Sequence, residues 1–98
     1  MTHNEAKDFV DCVAFGEARV KYHGKSYFCN GVSFDSSTGD CHIEVFQDEP
    51  ASDEENWRDS FWSHDGKSRE ECMVAFVNVK YWGGKSFYEA APEMEWID

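Results

Sequence analysis

Three copies of Gly-Lys-Ser, four cysteines, four histidines and one dense run of carboxylates are the parts of this sequence with chemical potential. Gly-Lys-Ser suggests a phosphate cradle, in which a glycine-rich loop lets backbone N–H groups close around the phosphates and the lysine reaches their outer oxygens. Such a loop needs a second glycine five residues before the first residue of the triplet. Those positions are Arg19, Phe61 and Val79. The triplets therefore read as turns and helix caps, and no nucleotide or other cofactor is expected.

Cysteine and histidine give an equally bland result. Structural zinc sites bring ligands together in pairs two to four residues apart, and here only Cys41 and His42 are close. Neighbours on a strand point to opposite faces, so that pair is poorly placed to share a metal. Cys12, Cys29, Cys41 and Cys72 are expected to be small buried side chains with reduced thiols. No Gly-x-Ser-x-Gly or cysteine-protease phrase occurs, and carboxylates are too frequent in so acidic a chain to single out an acid–base pair. The expectation is a non-enzyme without a catalytic or metal site.

The acid-rich run has the sharper reading. Residues 48–59 hold Asp48, Glu49, Asp53, Glu54, Glu55 and Asp59 against Arg58 alone, with Trp57 among them. The formal charge is −11, and it is uneven: residues 1–47 contain seven acids and four bases, residues 48–98 thirteen acids and five bases. A field of that sign repels nucleic acid and anionic membranes and attracts basic protein surfaces. Asp48, Glu49, Asp53, Glu54, Glu55, Trp57 and Asp59 are the candidate partner-binding residues, with Trp57, Trp62 or Tyr88 as aromatic anchors. The competing reading is a solvated acidic connector that only aids solubility.

In size, charge and cysteine usage, though in no motif, the chain resembles the small acidic inhibitors carried by phages and other mobile elements, among them anti-CRISPR and DNA-mimic proteins. It is similar in the same way to bacterial immunity proteins that neutralise a basic nuclease. The resemblance implies a non-enzymatic binding protein that occupies the basic, nucleic-acid-binding surface of a protein partner. The alternative is a structural or adaptor domain of a phage or bacterial assembly, making contact through a sheet edge or an aromatic patch.

These residues must be positioned by a small fold. Ninety-eight residues, 16% of them aromatic, suit one domain with one core. No apolar run reaches the roughly 18 residues that span a bilayer. No basic and apolar leader follows the opening Met-Thr-His-Asn, so a cytoplasmic protein is expected. Ala6, Phe9, Val10 and Val13 make one face of a helix over Asn4–Phe15, with Thr2 or Asn4 as its cap and Gly16 as a left-handed terminator. Alternation predicts strands at 17–23, 26–34 and 41–47, a meander covered by that helix, with Gly31 as a bulge. Pro50 ends the third strand. Ser52 and Glu55 have the form of a capping box, so a short helix through Trp57 and Phe61 is expected, with a loop as the alternative.

In the second half, Ser68 with Glu71 and Ser86 with Glu89 repeat the cap signature. They predict helices over Ser68–Ala75 and Phe87–Ala91, with a strand over Phe76–Trp82 and a last strand over Met94–Ile97. One long strand from Cys72 to Trp82 is the competing reading, because Met73, Ala75, Val77, Val79 and Tyr81 alternate. The fold class expected is α+β with an antiparallel sheet.

Overall fold

The computed structural model describes residues 1–48 and 58–97, and of Asp48, Arg58 and Asp59 the backbone alone. It is an α+β fold in two layers, with helices packed on one face of a five-stranded antiparallel sheet. Helix α1 (His3–Phe15) begins in a full capping box: the Glu5 amide donates to Thr2 Oγ1 at 3.1 Å, and the Thr2 amide donates to the Glu5 carboxylate at 2.9 Å. Its buried face is Ala6, Phe9, Val13 and Ala14. The helix ends at Gly16 as expected, but not through a left-handed residue. The backbone there is extended, with φ −165°, and the chain runs straight into the sheet.

Strands β1 (Glu17–Tyr22), β2 (Lys25–Phe34) and β3 (Cys41–Asp48) form the expected meander. β1 and β2 join through His23 and Gly24, both at positive φ (49° and 79°), the conformation that matches a two-residue turn to the twist of its strands. The β2–β3 register shifts between Asn30 and Ser33, so the chain bulges around Gly31. A side chain is impossible there: a Cβ would stand 1.8 Å from the Gly16 carbonyl oxygen and 2.5 Å from that of Val13. The glycine lets the end of α1 lie directly on β2.

The expected helix through Trp57 and Phe61 is not formed at its described end. Strand β4 (Arg58–Gly66) occupies that stretch and pairs antiparallel with β3, from Asp48↔Arg58 to Cys41↔Gly66. Val45 faces Trp62 while Phe46 faces Ser60, leaving Phe61 as the extra residue of a bulge. The bulge lets two consecutive aromatics reach the same core. Phe61 meets Tyr27, Tyr81 and Trp82, and Trp62 meets Phe76 and Tyr81.

Helix α2 (Arg69–Asn78) starts where Ser68 accepts the Glu71 amide at 3.1 Å. Glu71 bonds the Lys67 amide rather than that of Ser68, a shifted version of the expected box. The helix continues past Ala75 and takes in Phe76, Val77 and Asn78, so the strand expected over Phe76–Trp82 does not exist. The buried pair Cys72 and Phe76, one turn apart, decides the matter, whereas no member of the alternating set is fully buried and Val79 is exposed. Trp82 and Lys85 exchange backbone hydrogen bonds across Gly83 and Gly84, both at positive φ. Ser86 and Glu89 then form a complete capping box for α3 (Phe87–Ala90). A 3-10 turn at Ala91–Glu93 leads to β5 (Met94–Trp96), which pairs with β1 and closes the order β4-β3-β2-β1-β5.

The core lies between helices and sheet. Phe9 stacks on Phe87, Phe87 packs on Phe76, and Trp82 is fully buried among Tyr22, Tyr27, Phe61 and Tyr81 at ring separations of 5.1 to 5.8 Å. Among the described residues no helix covers the other face of the sheet. On it, Arg19 lies over the Phe28 ring at 5.4 Å, and His42 and Glu44 project from β3.

Candidate functional site

The acid-rich run joins β3 to β4. Asp48 pairs with Arg58 and Gln47 with Asp59, so the described ends of the run meet where β3 pairs with edge strand β4. Of the candidate binding residues, Asp48 and Asp59 belong to the last pairs of that ladder, whereas Glu49, Asp53, Glu54, Glu55 and Trp57 lie outside the described residues. The geometry thus gathers the two ends of the acidic run at one point. β4 pairs with β3 alone among the described residues, which leaves its outer edge open.

The aromatic anchors divide. Trp62 is partly buried, not exposed, and lies flat on Tyr81, with ring centroids 4.3 Å apart. Tyr88 is 36% exposed beside His3 and keeps a surface to offer, but it belongs to the helix layer.

Ion pairs consume much of the positive charge on the described surface. Lys67 holds Asp40 at 2.7 Å, Lys85 holds Glu93 at 2.8 Å, and Lys80 approaches Glu89 at 3.7 Å. The Arg69 guanidinium lies over the Phe15 ring at 4.7 Å. Hydrogen bonds from Lys85 and His23 hold the Glu93 carboxyl below the usual carboxylate range, and the bond from Ser37 does the same for Asp35. These acids stay ionised well below neutral pH.

At the end of the β3–β4 hairpin away from the acidic connection lies an open cleft of about 700 Å³, lined by Phe34, Asp35, Asp40, Cys41, His42 and Asp65 among others. His42 is gripped from both sides: Nδ1 lies 2.7 Å from Asp65 Oδ1, and Nε2 lies 2.9 Å from Glu44 Oε1. Bonding to Glu44, then to Asp65, raises the His42 pKa above the ordinary imidazole value, and the same contact lowers that of Glu44. Half of this grouping had a signal in sequence, since His42 and Glu44 stand two apart on one strand face. Asp65 had none, because its approach depends on the β3–β4 register.

Cys41 faces the core while His42 faces the opposite side of the sheet, so the two neighbours do not converge. Cys29 and Cys72 are fully buried, and burial pushes both thiols up. Cys12 departs from expectation and is exposed on α1. Among the described residues no three His, Cys, Asp or Glu side chains are grouped so as to hold a metal ion, and no helix is long and apolar enough to cross a membrane. Comparison with protein-family models, with curated proteins and with solved structures finds no match to this chain.

Proposed function

We propose that this is a non-enzymatic acidic binding protein that occupies the basic, nucleic-acid-binding surface of a protein partner, in the manner of phage and mobile-element inhibitors of the anti-CRISPR or DNA-mimic class. The observation that carries the reading is the position of the acidic run. Six carboxylates stand in or beside the hairpin connection of the outermost two strands, on a chain whose formal charge is −11. Charge concentrated in one short stretch steers a basic partner from a distance. Asp48, Glu49, Asp53, Glu54, Glu55 and Asp59 supply the charge and Trp57 the apolar anchor.

A second reading rests on the open outer edge of β4, nine residues long, which offers unpaired backbone groups to a strand of an assembly partner. Salt separates the two. The test is capture of a partner from a host lysate at low and high ionic strength, with duplex DNA as competitor. The six acids are then replaced together by Asn or Gln, which takes the formal charge from −11 to −5. The charge reading expects a nucleic-acid-binding partner whose capture falls with salt, with added DNA and with the six replacements. Capture indifferent to all three refutes it and favours the edge. Replacing the exposed Asp8, Asp11, Glu17, Glu70, Glu93 and Glu95 instead, which gives the same −5, tests whether position or mere total charge matters.

A further inference from the structure

The two hydrogen-bonding partners of the His42 ring set an unusual requirement. An ionised carboxylate only accepts hydrogen bonds, so a ring nitrogen facing one must carry a proton. Both ring nitrogens of His42 face carboxylates, Asp65 on β4 and Glu44 on β3, and the contacts are short. The geometry is satisfied only by the doubly protonated imidazolium. The remaining surroundings fit that state. Ser60 of β4 bonds Glu44 and helps keep it ionised. Asn30 of β2 lies opposite Glu44, and Ser33 of β2 donates to the His42 carbonyl at 3.3 Å. Asp35 and Asp40 line the same cleft, Asp40 being matched by Lys67.

We propose that His42 is a proton-operated clasp that fastens edge strand β4 to β3, closed while the ring carries both protons and open once it loses one. Loss of either proton leaves a bare nitrogen lone pair against a carboxylate, and two negative groups then flank an uncharged ring. Glu44 lies on β3 beside His42, whereas Asp65 comes from the neighbouring strand, so the bond that matters for the sheet is the one to Asp65. β4 has no strand beyond it among the described residues to share the load.

The direction in pH follows from the sign of the shift. The folded-state pKa of His42 is raised, so the clasp contributes fully below the ordinary imidazole range, and its contribution disappears as pH rises through the raised value. Its size is modest, because the His42 and Asp65 side chains are 40% and 81% exposed and water screens the pair. An exposed pair of this kind corresponds to roughly a two- to five-fold change in local opening.

The experiment is a histidine NMR titration of the full chain, paired with amide exchange in β4 corrected for the intrinsic pH dependence of exchange. The expected result has His42 titrating above about 6.5, the ordinary imidazole value. Its midpoint returns toward that value in Glu44→Gln and in Asp65→Asn. Corrected exchange of Trp62 and His64, whose amides face β3, increases roughly two- to five-fold through the midpoint in the unsubstituted protein and not in His42→Gln. An ordinary His42 midpoint overturns the proposal, as does β4 protection that stays flat across a raised one. Both measurements can be made on the unsubstituted chain, so neither depends on a variant folding.

Discussion

Replacing Gly31 by alanine tests the contact on which the two layers of this fold depend. The added Cβ would stand 1.8 Å from the Gly16 carbonyl oxygen, and ordinary contact begins at 3.4 Å, so about 1.6 Å of separation must be found. The obstructing atoms are backbone, at Val13 and Gly16, and no rotamer change can clear them. The end of α1 must move off β2, dragging Val13 and then Phe9, both fully buried, out of register with the core. Overpacking a close-packed interior costs ~1–3 kcal/mol, and a backbone obstacle places this case at about 3 kcal/mol, a large part of the ~5–15 kcal/mol that stabilises a domain. At roughly 4–8 °C per kcal/mol for a chain of this size, Tm should fall by about 12–24 °C. Gly39 supplies the control. It sits at φ +78° with nothing within 4 Å of a Cβ, so Gly39→Ala meets only left-handed strain of ~1–2 kcal/mol. Urea and thermal unfolding, followed by tryptophan fluorescence, should rank Gly31→Ala below Gly39→Ala. Equal or reversed stabilities would refute the close-approach argument.

Two further outcomes follow from the core and from the thiols. Phe9→Ala removes a fully buried ring that stacks on Phe87 and meets the edge of Trp96, and should cost ~3–5 kcal/mol in a urea titration. Iodoacetamide should label Cys12 in the folded protein and reach Cys29 and Cys72 only on unfolding, as read by mass of the intact chain; rapid labelling of Cys29 in native buffer would contradict its burial.

What was legible in the sequence depended on whether a signal was local. Ser68 and Ser86 announced their helices because a cap needs only a hydroxyl and a backbone amide three residues on. The first three strands were legible because Ala18, Val20 and Tyr22, and then Cys41, Ile43 and Val45, alternate without interruption against the core. β4 was hidden because Phe61 and Trp62 are adjacent. Two neighbouring aromatics break the period of two, and only the partner strand reveals that a bulge absorbs the extra residue. Alternation from Met73 to Tyr81 misled for the opposite reason: it is clean in sequence, yet none of its residues is fully buried, Val79 is exposed, and the helical pair Cys72 and Phe76 takes the core. Of the candidate site, the concentration of acid could be read directly. That its two ends meet across a β-ladder, and that His42 is held by an aspartate 23 residues away, required the register.

The two acidic regions of the β3–β4 hairpin have different electrostatic reach, and this bears on what the six-acid replacement measures. β3 runs from Cys41, beside the cleft with Asp35, Asp40 and Asp65, to Asp48 at the acidic connection. Seven steps of ~3.4 Å put these regions about 24 Å apart. At physiological ionic strength the screening length is ~8 Å, so a partner near the connection hardly feels the cleft; in very dilute salt it extends to ~30 Å, and both regions pull together. Within the cleft Lys67 offsets Asp40. Arg58 is the sole base within residues 48–59. Losing the six acids should therefore abolish steering at physiological salt and only reduce it in dilute salt, because the distant carboxylates remain. A merely solubilising acidic surface would show no such dependence on where along the hairpin the charge is removed.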